Sequence, residues 1–365
     1  MRVEQTLHGY REGHHLLTSS VALTDEEGWT LEQLSDLSGQ LELDEDFDHF
    51  HTAYPAGRWF VVARTWHDRE ADRRGTVLTH SLLLPREQAA RELDDVGRLY
   101  GLFNEPGYDR TDLSAWERTL GLPELEQLPP LELSPQAALR LYTALLLVDI
   151  RPLLWLENAS ADAAARRAWQ VLPWWVRKDF AWCTRALHPR YLNDKPLPLM
   201  TPGPHSRSGF SSLRAVPVGT RIAPALEKKA RELDLQLITP EELQAHWTEL
   251  DVEVSANQLR LVLHRAKLHR RGDWAAVLSC LDIDETLGLV GGLARKDVEL
   301  AMRHLSLRSP SQRQLSELAA LMLRKPWQLA PSKAGALKSL AEETLASASG
   351  SAEDRRKVEA ALRER

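Results

Sequence analysis

The sequence has few cysteines and no long apolar segment. Only two of its 365 residues are cysteine, Cys183 and Cys280. Two cysteines are too few for a disulfide framework in a chain of this length and are typical of a reducing compartment. The longest apolar run, 142–148, is too short to span a bilayer, and the first residues lack the apolar segment of a secretory signal. We therefore expect a cytoplasmic protein without membrane insertion.

The short motifs of common catalytic and nucleotide-binding sites are also missing. The sequence contains no Walker A loop, no G-x-G-x-x-G turn, no G-x-S-x-G elbow and no H-E-x-x-H pair. The formal net charge of −6 gives no overall attraction to nucleic acid. A basic segment at 264–271 is a local exception, and a solvated helix end accounts for it equally well. We expect no cofactor and no nucleic-acid partner. The missing motifs weigh against an enzyme without excluding one.

Hydrophobic patterning predicts an α+β fold. Runs rich in β-branched and aromatic residues predict strands at 3–7, 16–22, 58–66 and 75–84, the last two forming a central antiparallel hairpin. A helix is predicted over about 30–41, after a sequence at Thr24–Glu27 that resembles a capping box. The acidic run 44–48, beside His49 and His51, is interpreted as a solvated loop and not as a metal site.

Loop-rich and proline-rich segments divide the sequence into three regions. The first, 1–103, is predicted to be a strand-rich α+β domain with flanking helices. The second, 134–238, is predicted to be a small α/β region, with a Pro/Gly/Ser-rich stretch at 196–212 that loops out. The third, 239–365, contains short helical segments with plausible caps and predicts a helical bundle or array.

Histidines are concentrated near the N-terminus. Seven of the 13 lie in the first 80 residues: His8, His14, His15, His49, His51, His67 and His80. Histidine suits proton transfer near neutral pH, which makes His14 and His80 the candidate catalytic residues. No pair has a standard ligand spacing, so no metal site is predicted.

Other side chains are candidates for binding a ligand or a partner. Two glycines, Gly9 and Gly13, predict a tight turn that presents neighbouring side chains. Adjacent tryptophans at 174 and 175 point to different faces of a helix or turn, so that one of them could meet a partner. The binding candidates are His8, Tyr10, Arg11, His14, Arg74, Trp174 and Trp175.

Three stretches occur in a fixed order. They are His8-Gly-Tyr-Arg-Glu-Gly-His14-x-Leu-Leu-x-Ser-Ser20, then Arg64-Thr-Trp66 with Arg74-Gly-x-Val-x-Thr-His80-x-Leu-Leu-Leu84, and finally Leu172-Pro-x-x-Val-Arg177. Over about residues 1–190 the sequence resembles the N-terminal and middle regions of the GTPase-associated proteins of predicted bacterial conflict systems. The resemblance marks His8, Gly9, Tyr10, Gly13, His14, Ser20, Trp66, Gly75 and His80 as a candidate site without assigning them chemistry.

The resemblance implies a non-enzymatic adaptor or regulator in a defence-like system. Proteins of this family are encoded beside GTPases, so the implied partner is a GTPase. The alternative is an enzyme or small-ligand sensor in which His14 and His80 face a common pocket. The oligomeric state and the role of the C-terminal region are left open by the sequence.

Overall fold

The described part of the chain lies within its N-terminal two thirds. The computed structural model describes residues 1–41, 46–69, 71, 75–105, 112–122, 128, 131–147, 152–219, 224–232, 235 and 239–244. All of them belong to the first of the two units into which the chain divides, Met1–Thr248. The predicted C-terminal helical region therefore lies outside the described residues, apart from 239–244. No helix in the described ranges is long and apolar enough to cross a bilayer.

Strands outnumber helices in these ranges. The strands are β1 (Arg2–Tyr10), β2 (His14–Ser19), β3 (His49–Ala56), β4 (Trp59–His67), β5 (Val77–Pro85), β6 (Leu120–Gly121), β7 (Leu153–Trp155), β8 (Trp182–Ala186), β9 (Tyr191–Leu192), β10 (Lys195–Pro196), β11 (Leu199–Pro202) and β12 (Val216–Val218). The helices are α1 (Asp25–Ser35), α2 (Arg86–Glu92), α3 (Pro135–Leu147), α4 (Ala161–Val171), α5 (Trp174–Arg177) and α6 (Pro224–Glu232). Short 3-10 helices occur at Val96–Leu102, Ser114–Trp116, Asn158–Ser160 and Arg207–Phe210.

One mixed sheet organises the fold. Its strand order is β12-β7-β11-β8-β3-β4-β5-β1-β2, and β6 pairs with β1 beside this path. From β8 to β2 all neighbours are antiparallel, whereas β8, β11, β7 and β12 are parallel to one another. Parallel strands need a crossover connection, and α4 lies in the one that joins β7 to β8, the two strands on either side of β11. The sheet and its helices confirm the α+β class, and the pairing of β3 with β8 joins strands from the first two predicted regions.

The central hairpin follows the sequence prediction. Strands β4 and β5 pair antiparallel from Trp59↔Pro85 to His67↔Val77 and lie in the interior of the sheet. Their side chains are almost all buried, because helices and loops cover both faces of these strands. Buried strands of this kind form continuous apolar runs.

The first helix begins earlier than predicted. Thr24 is its N-cap: Thr24 Oγ1 accepts from the Glu27 backbone N–H at 3.2 Å, and the Glu27 carboxylate accepts from the Thr24 N–H at 2.9 Å. This capping box confirms the predicted signature, but α1 starts at Asp25 and ends at Ser35, not at 30–41. Gly28 weakens a helix without preventing one, because the cap satisfies the first donors.

Two interior strands of the sheet, β3 and β11, were not predicted from the sequence. Strand β3 begins directly after the acidic run 44–48 that was interpreted as a loop, and β11 lies inside the stretch 196–212 that was expected to loop out. Both contain proline, Pro55 in β3 and Pro202 at the end of β11, which argues against a strand in sequence terms. Pairing within the sheet overrides that local preference: β3 pairs with β4 along its whole length, and β11 pairs with β7 on one side and β8 on the other.

Helices cover both faces of the central strands. Alternation along each strand sends neighbouring side chains to opposite faces. On one face, hereafter the α1 face, the hydroxyl of Thr79 donates to the Ser35 carbonyl of α1. On the other, the α4 face, three fully buried rings pack together, with centroid distances of 4.7 Å for Phe60–Trp169 and 5.9 Å for Trp169–Trp182. Through this aromatic cluster, α4 packs against the sheet.

Candidate functional site

The sheet separates the two candidate catalytic histidines. His80 pairs with Leu7, whereas His8 pairs with Thr79, so His80 lies on the α4 face and His8 on the α1 face. His14 pairs with Tyr10 and bonds to Ser35 of α1 through Nε2 at 2.8 Å. His14 therefore lies on the α1 face with His8. The common pocket of His14 and His80 that the alternative hypothesis requires is not formed.

Both ring nitrogens of His80 are engaged. The backbone N–H of Asn104 donates to Nδ1 at 3.1 Å, which leaves Nε2 to carry the proton and donate to Gln5 Oε1 at 2.9 Å. The side chain is fully buried. Burial, with the nearby Arg64 guanidinium, lowers the pKa of His80 to about 3. His80 is thus a neutral group that links β1 and β5 to the segment after the Val96–Leu102 helix.

His14 lies beside a cavity on the α1 face. The cavity measures about 380 Å³, and its walls include Tyr10, His14, Asp36 and Gly75. Burial lowers the pKa of His14, although the Asp36 carboxylate opposes the shift. The ring stacks at 6.3 Å on His8, whose pKa falls to about 3, mainly through burial. This cavity brings together two of the predicted binding residues, Tyr10 and His14.

The other binding candidates lie elsewhere or outside the described residues. Arg11 is exposed in the β1–β2 turn, where Glu12 and Gly13 adopt positive φ. Arg74 falls outside the described residues. In α5, Trp174 is half-buried under the Arg91 guanidinium of α2, 3.3 Å from the ring centroid, and Trp175 is buried.

A second polar cluster, on the α4 face, was not predicted. His49 and His51 are two residues apart in β3, so both side chains point to this face, and their ring centroids are 5.2 Å apart. Asp162, in the first turn of α4, accepts a hydrogen bond from His51 Nδ1 at 2.7 Å. His51 is buried, His49 is exposed, and the Asp162 side chain is 42% exposed. We call these three residues the β3–α4 cluster.

Arg64 connects this cluster to its surroundings. Its Nε donates to His51 Nε2 at 2.9 Å. Because arginine can only donate, His51 Nε2 is the acceptor and Nδ1 holds the proton shared with Asp162. The guanidinium also lies over the Phe103 ring, 4.6 Å from its centroid. Tyr100 stacks on His51 at 4.1 Å with an interplanar angle of 9°. The orientation of the His51 ring is therefore fixed by three contacts: the hydrogen bonds with Asp162 and Arg64 and the stacking of Tyr100.

The β3–α4 cluster has the donor atoms of a metal site. His49, His51 and Asp162 can each offer one ligand atom, and these atoms lie within 4.8 Å of one another. Burial alone would raise the pKa of Asp162, but the interaction with His51, including the hydrogen bond from Nδ1, lowers it below its ordinary value. The His-x-His spacing of β3 was the available signal, and it predicts ligands on one face only once the segment is recognised as a strand.

The geometry defines an α+β protein with two histidine-containing sites on opposite faces of one sheet. Residues 2–103 match the family model GAP1-N1, described as GTPase-associated protein 1, N-terminal domain type 1. The match supports the resemblance over those residues, which include His14, His49, His51 and His80. Asp162 and the motif at Leu172–Arg177 lie beyond it. No curated protein and no solved structure matched the chain.

Proposed function

We propose that this chain is a non-enzymatic adaptor or regulator that binds a partner protein, a GTPase, in a bacterial defence-like system. The observation that supports the proposal most directly is the match of residues 2–103 to a GTPase-associated domain. The neutral, fully bonded state of His80 also favours a structural role for that residue over proton transfer.

The α1 side of the N-terminal region offers a surface for such a partner. Trp29 of α1 is 61% exposed, and tryptophan is enriched among the residues that contribute most of the binding energy at protein interfaces. Helix α1 packs against β2, the strand at the edge of the sheet, and Leu16 of β2 is 38% exposed. Arg11 adds a charged side chain in the adjacent turn. Apolar anchors with a charged rim are typical of protein interfaces.

Co-purification tests the proposal. Tagged full-length protein is incubated with the GTPase encoded next to its gene, once with GDP and once with a non-hydrolysable GTP analogue, and retention is measured. We expect retention with at least one nucleotide and at least about tenfold weaker binding for Trp29→Ala. Tyr191→Ala is the matched control, since Tyr191 is 52% exposed in the separate β9–β10 hairpin. Failure to retain the GTPase with either nucleotide would refute the proposal.

A second candidate function, a small-ligand sensor or enzyme, is favoured by the cavity at His14. A polar cavity of this volume is within the range of small-molecule sites. The test is a thermal-shift screen of nucleotides and small carboxylates on the wild type and on His14→Gln. A compound that raises the Tm of the wild type only would support this candidate, and a panel without any such compound would count against it.

A further inference from the structure

Two imidazoles and a carboxylate meet in the β3–α4 cluster from separate elements of the fold. His49 and His51 project from one face of β3, and Asp162 projects towards them from α4. Their ligand atoms lie within 4.8 Å of one another. Among the residues that the structure describes, no other group of three histidine, cysteine, aspartate or glutamate side chains has this geometry.

Little movement would be needed to bring the donors around an ion. Zn²⁺ binds nitrogen and oxygen at about 2.0–2.2 Å, so tetrahedral ligands lie about 3.3 Å apart. His51 Nδ1 and Asp162 Oδ1, at 2.7 Å, would separate by about half an ångström. The widest pair, which lies within 4.8 Å, would close by at most about 1.5 Å. An ion between Nδ1 and Oδ1 replaces the proton that these two atoms share.

The surroundings hold the buried ligand in place. Tyr100 stacks on the His51 ring, and the His51 backbone N–H donates to Thr184 Oγ1 at 2.9 Å. Contacts of this kind, beyond the ligands themselves, orient the ligands in metal sites and strengthen binding. The Tyr100 hydroxyl is buried and has no hydrogen-bond partner in the described part of the chain. A buried polar group of this kind favours a further polar species nearby.

Arg64 opposes an ion at this position. When His51 binds through Nδ1, its Nε2 carries the proton and can no longer accept from Arg64. The half-exposed Arg64 side chain must then turn away from His51. Its other nitrogens have no hydrogen-bond partner among the described residues, so this movement breaks the bond to His51 and the contact of the guanidinium with the Phe103 ring. The positive guanidinium also repels a dication. Arg64 therefore competes with the ion for His51.

We propose that His49, His51 and Asp162 form a binding site for a divalent transition-metal ion, with Zn²⁺ as the fitting probe. Imidazole nitrogen suits Zn²⁺ and its first-row neighbours, whereas Mg²⁺ and Ca²⁺ prefer all-oxygen sites. Three protein ligands leave a coordination position for water or substrate, on the side where His49 and Asp162 are exposed. The proposal does not depend on the partner assigned above.

Calorimetric titration of ZnCl₂ into EDTA-treated full-length protein tests the site, with elemental analysis of the dialysed complex. We expect the wild type to bind one ion more tightly than His49→Ala and Asp162→Asn. The loss should be at least about tenfold for each variant, because even indirect partners of metal ligands have effects of that size. His49 is exposed and the Asp162 change is nearly isosteric, so both variants should keep the wild-type circular dichroism spectrum.

Two further variants make the test specific. His67→Ala is the matched control: His67 and Asp46 form a comparable pair, at 2.8 Å, with His67 on the opposite face of the neighbouring strand, and it should bind Zn²⁺ like the wild type. Arg64→Met should bind more tightly, because it removes the competing cation and retains an apolar stem. Absence of binding by the wild type, or binding unaffected by His49→Ala and Asp162→Asn, would overturn the proposal.

Discussion

Acidification should destabilise this protein through His80, and His80→Gln should remove that part of the loss. The side chain is fully buried, and burial followed by Arg64 lowers its pKa from 6.5 to about 3. In the unfolded chain the His80 ring has its ordinary pKa and becomes protonated below pH 6.5. In the folded state the ring stays unprotonated until the pH approaches 3. The contribution of His80 to the free energy of unfolding is therefore fully present above pH 6.5 and is lost as the pH falls towards 3.

The size of the effect follows from the two pKa values of His80. Each pH unit in this window costs about 1.4 kcal/mol, so the loss approaches about 5 kcal/mol at pH 3. Between pH 7 and pH 5 it is about 2 kcal/mol. Other buried histidines, His8 among them, add to the loss in the wild type and in the variant alike. The difference between the two proteins isolates His80.

Glutamine is the informative replacement. Its amide nitrogen can reproduce the hydrogen bond from His80 Nε2 to Gln5, but it does not titrate and does not accept from Asn104 as Nδ1 does. His80→Gln should be less stable at pH 7, because the Asn104 N–H loses its partner. Between pH 7 and pH 5, the free energy of unfolding of His80→Gln should then fall by about 2 kcal/mol less than that of the wild type.

Urea denaturation at pH 7 and pH 5, followed by tryptophan fluorescence, measures the free energies of unfolding. Equal m-values for the two proteins show that the same transition is compared. His205→Gln, at an exposed histidine, is the control and should behave like the wild type. If His80→Gln and the wild type lose the same free energy between the two pH values, the assignment of the acid sensitivity to His80 is wrong.

Three substitutions test the local architecture by urea denaturation at neutral pH. Thr24→Ala removes the capping box and should cost about 1 kcal/mol; no change in midpoint would contradict the cap. Asp95→Asn leaves the buried Arg166 without the carboxylate bonded at 2.8 Å and 3.0 Å and should cost about 3–5 kcal/mol, so a loss below 1 kcal/mol would argue against the pair. Gly57→Ala should destabilise because φ is +56° and the new Cβ would lie 2.8 Å from the Glu27 side chain; an unchanged urea midpoint would count against this geometry.

Local signals in the sequence predicted the elements that depend on few neighbours. The capping box at Thr24 and the apolar runs of β4 and β5 operate over adjacent residues, and the structure contains all of them. Strand β3 depends instead on its pairing with β4 and β8. Its polar start and Pro55 contradict a buried strand, and only tertiary pairing resolves the conflict.

The candidate sites were harder to predict because they depend on register. The sequence predicts a strand around His80 and places His8 and His14 beside a turn between two predicted strands, but it does not show which face of the sheet each histidine occupies. A shift of one residue in pairing moves every side chain of a strand to the opposite face. The pairing of Leu7 with His80 sends His80 away from His14. The pairing of His80 with Arg64, and of Arg64 with His51, aligns these three side chains on the α4 face.

This alignment links the region that matches the family to the region beyond it. His51 and Arg64 lie in the matched residues 2–103, but Asp162, which bonds to His51, comes from α4. The same boundary divides Phe60 from Trp169, whose rings pack at 4.7 Å, and β3 from its sheet neighbour β8. Residues 2–103 in isolation would therefore lack the acidic member of the β3–α4 cluster and expose a strand edge and a large aromatic surface. The α1 face also depends on later strands, because Cys183 of β8 and Met200 of β11 belong to the same buried core cluster as Leu31 and Leu34 of α1.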